Sequence, residues 1–412
     1  MTGRRRIISL LTIIGVLVCL FVMSGMVAAE KTHLVMWIIT NDAGLSLFNE
    51  VIVPQFEAAY PNIVVEVMNN TWTDYTNKLI LTTASGVAPD IFLLAGNMRG
   101  AFAEQGIARP LDDFIAKWPE YSDFIPEVVN AVRYKGSLYG IPLLTSARSI
   151  FYRSDLLEQA GVDKPPATWE ELRAIYPKLT KVTPEGQVSQ LAMPITIDFH
   201  FWYALLKQAG GELATEDGNK PLFNSPQGLT ALRYYMDMYD YSRSFGPMVG
   251  GADFLKGNYA MEFGGQHWRL PTAKISYPDL VPYIHAAPPL KNEKQVAVIY
   301  TDSLAIHGSS KNADAAFEFL KWYSKVENNT AFNEINFTIP SRISSLRTDY
   351  VRTTHIIDEV MRLVLPFTEP WPNHNNPNQS QWTSEFSKLV DRQTTPENML
   401  DTLARAWVPV SN

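Results

Sequence analysis

Cysteine is almost missing. Cys19 is the single one in 412 residues, and it stands inside an N-terminal apolar run. A chain cut after Ala29 carries none, which excludes a disulfide framework, a thiol nucleophile and a thiolate metal site. An excess of positive charge is missing too, with 35 Lys and Arg against 42 Asp and Glu. Nucleic-acid recognition needs a concentrated basic face, so no nucleic-acid partner is expected. His-Glu-x-x-His, Gly-x-Ser-x-Gly and phosphate-loop patterns do not occur. His355 and Glu359 have helical i, i+4 spacing but no third ligand, so neither a metal nor any other cofactor is expected. The adjacent acids Asp112-Asp113 and Glu170-Glu171 read as helix-start or solvated residues rather than as a glycosidase pair facing across a bond. The expectation is a binding protein and not an enzyme. A secreted carbohydrate hydrolase or lyase stands as the alternative.

What is present begins at the N-terminus. "MTGRRRIISLLTIIGVLVCLFVMSGMVAAEK" has three Arg, an apolar run and then Val27-Ala28-Ala29 at signal-peptidase spacing, which predicts export with residues 1–29 removed. Val18 stands where a lipoprotein signal wants a small residue, so lipid anchoring is not expected. A retained membrane tether is the alternative, because the run approaches the length of a spanning helix. The rest is too long for one ordinary core, and two domains are the default. Ten Trp are an unusual supply of flat apolar surface.

Along the chain, "HLVMWIIT", "NIVVEVM" and "DIFLL" read as buried strands. They alternate with a helix over about residues 46–59, kinked or restarted at Pro54, and with "DYTNKLILTTASG" and "MRGAFAEQGI". This β-α-β-α-β order marks an α/β domain with a mainly parallel sheet, whose ligands bind beyond the carboxyl ends of the strands. The loops holding Asn41 and Asp42, Trp72, and Asn97 and Met98 are therefore privileged. Asp90, at the amino end of its strand, is on the wrong side for a ligand. Its carboxylate is expected to take backbone N–H groups in the turn after Pro89. A second α/β region starts near Pro142. In it, Thr168 with Glu171 forms a capping box, and Ser225 caps a further helix.

The segments "ASGVAPDIFLL", "YKGSLYGIPLL", "IFYRSDLLEQAGVDKPPATWEEL", "NSPQGLTALRYYMDMY", "FLKGNYAMEFGG" and "KNADAAFEFLKWYS", in this order and spacing, carry a resemblance. The chain resembles the carbohydrate-binding branch of extracellular solute-binding proteins, the family of maltose-binding protein, over about residues 34–407. The resemblance implies a periplasmic-binding-protein fold of two hinged lobes, each a mainly parallel sheet flanked by helices. On this chain the first lobe would take residues 30–142 and 301–342. The second would take 143–300, with C-terminal helices over 343–412. It further implies a periplasmic or extracellular monomer that captures a saccharide by hinge closure. The partners would be the membrane permease subunits of an ATP-binding cassette importer. A polyamine or a sugar acid is the alternative ligand for the same fold.

A sugar offers flat C–H faces and an equator of hydroxyls, which suit aromatic platforms beside planar or charged polar side chains. Trp72, Trp268, Trp371 and Trp382 lie in or beside polar loop sequence. Trp382 matches the family's stacking Trp after its late polar loop. "GGQHWRLP" resembles the family's Gly-Gly-x-Trp loop with one extra residue, which points to Gly265 and to Trp268 in preference to His267. "IDFHFWY" matches the segment that supplies a carboxylate and an aromatic, hence Asp198, Phe199 and His200. Asn41 and Asp42 correspond to the acid-rich loop of the first lobe. The family's cleft Trp, Asp-Arg pair and hinge-proximal Glu appear as Leu94, Asn97 with Met98, and Ser146. Maltose specificity therefore does not carry over. Arg148, Arg269 and Arg342 are candidates for bidentate recognition of an acidic sugar, with ion pairing inside the protein as the alternative.

Overall fold

The computed structural model describes residues 31–249, 251, 253–265, 267, 269–373 and 379–409. The expected export signal and Trp268 lie outside the described residues. In chain order the elements that position the site are as follows. Strand β1 (Thr32–Ile38) leads into helix α1, built from the consecutive segments Asp42–Ser46, Leu47–Ile52 and Val53–Ala59. Strand β2 (Ile63–Asn69), helix α2 (Tyr75–Ala84), strand β3 (Ile91–Leu94) and helix α3 (Arg99–Glu104) follow. Strand β4 (Ile141–Arg153) precedes helices α4 (Trp169–Leu179), α5 (Phe199–Gln208) and α6 (Pro226–Arg243). Strands β5 (Met261–Gly265), β6 (Ile284–Ala286) and β7 (Ala297–Ile306) come next, then helices α7 (Ala313–Tyr323) and α8 (Val326–Asn336). Strand β8 (Thr368–Pro370) and helices α9 (Gln379–Val390) and α10 (Pro396–Arg405) close the chain.

The strands form one continuous sheet in the order β6-β4-β7-β3-β1-β2, with β5 also on β4 and β8 also on β7. β1 pairs in parallel with β2 and β3, as their continuous apolar runs predict. Around β4 the expectation of a mainly parallel sheet fails. β5, β6 and β7 all run antiparallel to it. The reason is that β4 and β7 are long strands traversing the molecule in opposite directions. Two apolar cores flank this ribbon. One gathers residues from Leu34 to Leu143 and from Leu304 to Phe332. The other gathers residues from Ile125 to Ile299 and from Phe337 to Leu403.

Local signals resolve mostly as capping chemistry requires. Thr168 Oγ1 accepts the Glu171 N–H at 3.1 Å, and Glu171 returns a carboxylate oxygen to the Ala167 N–H. Ser225 Oγ accepts from Gly228 N at 3.2 Å. Helix α1 starts at Asp42, not near residue 46, because Asn41 caps it by accepting the Gly44 N–H at 2.8 Å. No new helix starts at Pro54 with a break before it. A π-helical segment over Leu47–Ile52 carries the chain into Val53–Ala59, where Pro54 occupies the first turn and its absent N–H leaves little unsatisfied. Asp90 reaches further than its own turn. Oδ2 takes the Val35 N–H of β1 at 3.1 Å, while Oδ1 takes Ser310 Oγ at 2.6 Å and Asn312 Nδ2 at 3.3 Å. It ties the amino ends of the sheet to the approach of α7.

The β4–β7 register slips by one residue. Asp302 faces Leu144, Ser303 faces Pro142, and Leu143 is bulged. Its carbonyl is held by Tyr323 Oη at 2.8 Å and by Asn333 Nδ2 at 3.2 Å. Asn329 in turn takes both the N–H and the hydroxyl of Ser341. The chain returning through residues 339–342 is thus fixed to the same point, with Ile339 N donating to Thr145 O at 2.8 Å.

Candidate functional site

Side chains alternate along a strand, so Ser146 and Arg148 of β4 share a face with Tyr300 and Asp302 of β7. Thr145 and Thr301 share the other face, their hydroxyls 3.1 Å apart. The polar face lies at the carboxyl end of β3. A Cβ built on Gly96 would stand 3.8 Å from the Tyr300 ring and 3.8 Å from the Trp371 indole. The Gly96 N–H also serves the Asp302 carboxylate. This face is the floor of the candidate site.

Its walls come from both sides. Trp371 follows β8, its N–H bonded to Ile299 O at 2.8 Å. Its ring lies 4.8 Å from His200, 5.2 Å from Tyr203 and 6.0 Å from Tyr300. Asp198 caps α5, with Oδ1 accepting both the backbone N–H and Nδ1 of His200 at 2.9 Å. Gly265 pairs across the sheet with Arg148. A side chain there would collide with His267, whose Cε1 lies 2.8 Å from the Cβ position. From the other side, Arg99 Nη1 donates to Asn373 Oδ1 at 2.8 Å and Nη2 to Thr301 O at 3.0 Å. Gly100 N bonds Asn373 O at 2.8 Å, and an added Cβ would stand 2.4 Å from that oxygen. Trp72 is 53 % exposed and meets Tyr75 edge-on.

Burial dominates the electrostatics. It pushes the Asp302 carboxyl up to about 7, although Arg99, the Gly96 N–H and Arg148 pull the other way. It lowers Arg99 to about 10 against the attraction of Asp302, and it lowers Arg148 against Asp198, Tyr300 and Asp302. Burial and the charge of Arg148 bring His267 down to about 4. Burial raises Asp198, but the hydrogen bonds and charge of His200, with Arg148, outweigh it and leave the carboxyl below its usual value. Burial lowers His200 in spite of Asp198. The result is a floor of fixed donors and acceptors with aromatic walls, suited to hydroxyls and flat apolar faces. A cavity of about 250 Å³ adjoins Asp198, lined by Thr196, Phe201, Tyr259, Glu262, Phe263 and Arg269. A larger one of about 730 Å³ lies on the outside of the first core, among Arg109, Lys117 and Trp118, away from this chemistry. Among the described residues no group of three or more His, Cys, Asp or Glu could hold a metal ion.

Of the sequence candidates, the structure brings together Arg148, Asp198, Phe199, His200, Gly265 and Trp371, with Trp72 near Tyr75 and Asn97 next to Gly96. Asn41 and Asp42 are drawn into the start of α1, and Asn41 bonds Asn336. Trp382 is a correction. It is fully buried, stacked on Phe386 at 4.7 Å and packed against Phe199, Trp202 and Tyr235. The amphipathic repeat of α9 turns it inward, so it has no face for a ligand. Arg269 pairs with Glu262, and Arg342 is held by Ser324, Glu120 and Asp123, the internal ion-pairing alternative for both. Sequence reading missed Arg99, Tyr300 and Asp302. A charged residue inside the apolar run "VAVIYTDSLAI" was the available signal.

The family model described as bacterial extracellular solute-binding protein matches residues 41–330. The chain belongs to that family. This solute-binding protein is 26% identical over 338 residues to a protein of Brucella abortus described as a binding protein, covering 78% of this chain and 80% of that one. It is 25% identical over 277 residues to a maltotriose-binding protein of Pyrococcus abyssi, covering 63% of this chain and 56% of that one. Among solved structures it is similar to the sugar-binding protein MalE from Xanthomonas citri, with a TM-score of 0.79 at 21% identity over 92% of this chain and 97% of that one. It is also similar to a Thermotoga lettingae solute-binding protein bound with α-D-tagatose, with a TM-score of 0.72 at 24% identity over 93% and 100%. These likenesses give the solute-binding protein the two-lobed periplasmic-binding fold.

Proposed function

We propose that this exported chain captures a saccharide between its lobes and presents it, unaltered, to the permease of an ATP-binding cassette importer. The observation that carries the reading is the polar face of β4 and β7, walled by Trp371, His200 and Tyr300, where two cores meet on one ribbon. The ligands named for similar proteins, maltotriose and tagatose among them, support the same class. We assign the ligand-facing roles to Arg148, Asp198, His200, Tyr300 and Trp72, with Arg99 buried behind them. Phe199, Gly265 and Trp371 shape the wall, and Asn97 lines the edge. The first lobe comprises 30–142 and 301–342, and the second 143–300 and 343–412. The lobes close by twisting the β4–β7 ribbon, as hinged capture requires.

Thermal unfolding of the mature chain with D-tagatose, maltotriose, mannotriose and acarbose tests this. A ligand at 100 times its dissociation constant adds about 2.7 kcal/mol of stability. Chromatography of the recovered sugar should show it intact. No shift with any of them, or a cleaved product, would overturn the reading.

A further inference from the structure

Asp302 sits on the floor with 4 % of its surface exposed. The Gly96 N–H serves its carboxylate, and Oδ1 has no hydrogen-bond partner among the described residues. The charged and titratable groups facing it are Arg99 from α3, Arg148 from β4, Tyr300 from β7 and Tyr75 from α2. Arg99 spends its two terminal nitrogens on Asn373 and Thr301. The β4–β7 register slips between Asp302 and Ser303, a feature over-represented beside binding and active sites. A buried carboxylate oxygen without a donor is uncommon in folded proteins and calls for one from outside. A polyol hydroxyl is such a donor.

We propose that Asp302 is a specificity-determining acceptor in the cleft, whose Oδ1 takes a hydroxyl hydrogen of the captured saccharide, and that capture is coupled to proton release from this carboxyl. The inference rests on the saccharide reading above. No bond of the sugar breaks. The carboxyl proton passes to solvent, and the carboxylate formed gains the hydroxyl hydrogen bond. Burial pushes the free carboxyl up to about 7, and a hydroxyl donor stabilises the ionised acceptor more than the neutral one. Binding therefore lowers the carboxyl's proton affinity. Capture is strongest above pH 7 and weakens as pH falls below it, by roughly tenfold between pH 8 and pH 6 for one such group.

Calorimetric titration with maltotriose and mannotriose at pH 6 and pH 8, in two buffers of different ionisation enthalpy, reads both affinity and protons released. Wild type should bind roughly tenfold tighter at pH 8 and release a proton on binding at pH 6. D302N should bind more weakly at pH 8 and show no pH slope. H267Q should keep the slope, because that ring is not its source. Binding without a slope in wild type, or a slope that survives D302N or vanishes in H267Q, overturns this proposal alone. Failure of these two saccharides and of D-tagatose and acarbose at both pH values overturns the proposed function with it. The proton count on wild type needs no variant to fold.

Discussion

Asp90 and Asp302 stand at opposite ends of the same short strand, β3, and differ in how completely they are served. Asp90 receives a backbone N–H from β1 and a hydroxyl and an amide from the loop before α7. Asp302 is more deeply buried and receives less: one N–H, two guanidiniums at a distance, and nothing on Oδ1 among the described residues. The first is a finished joint. The second is a joint missing one piece, at the end of the strand where α/β sheets take ligands. Asp90 and Asp302 differ more in their count of donors than in the element they sit beside. The same contrast separates Trp382, covered on all sides, from Trp72, which is half open.

Breaking the finished side should cost stability and spare binding. Trp382→Ala should lower unfolding stability by about 3–5 kcal/mol while a titrated saccharide keeps its affinity. Normal stability with lost binding in denaturant melts and calorimetry would return Trp382 to the site. Asp90→Ala should cost about 3 kcal/mol, since it leaves strand-end donors without acceptors. Its ligand affinity should match wild type. An affinity loss there would blur the distinction between the two ends.

The open side should answer to pH. The His267 ring has a folded value of about 4, below its ordinary 6.5. The unfolded chain therefore binds the proton more readily. The associated stability is complete above pH 6.5 and is lost as pH falls toward 4. Thermal melts of wild type and H267Q should diverge over that window by on the order of 2 kcal/mol, wild type falling faster. Parallel curves would mean that the ring is not held uncharged on the floor. The smallest effect is expected at Trp72. Trp72→Ala should move stability by less than about 0.5 kcal/mol, yet weaken saccharide binding through loss of stacking surface. Unchanged affinity would remove Trp72 from the cleft.

Much of the first core was legible in the sequence because its strands are continuous apolar runs, and Thr168, Glu171 and Ser225 announce their helices locally. The antiparallel surroundings of β4 were not legible. Its partners Gly265, Ala286 and Val298 lie more than a hundred residues away, and no local periodicity encodes them. The site was half legible. Asp198 and His200 belong to a local cap, whereas Arg99 and Asp302 meet only through the register of β7 on β3 and β4. Trp382 was misread from the polar loop before it, although Trp382, Phe386 and Leu389 already trace the i, i+4, i+7 stripe of a core-facing helix.

The place of β7 in the sheet also bears on how the chain is made. The first core takes most of its residues from the opening third of the sequence, yet β7 lies between β3 and β4, and Leu304 to Phe332 complete the packing. During synthesis from the N-terminus, that core lacks a central strand and two covering helices until the chain has grown past Phe332. Until then β3 presents an open edge, and nothing in the nascent chain can finish the domain. The first core of a polypeptide built this way cannot close until about four-fifths of the sequence has been made.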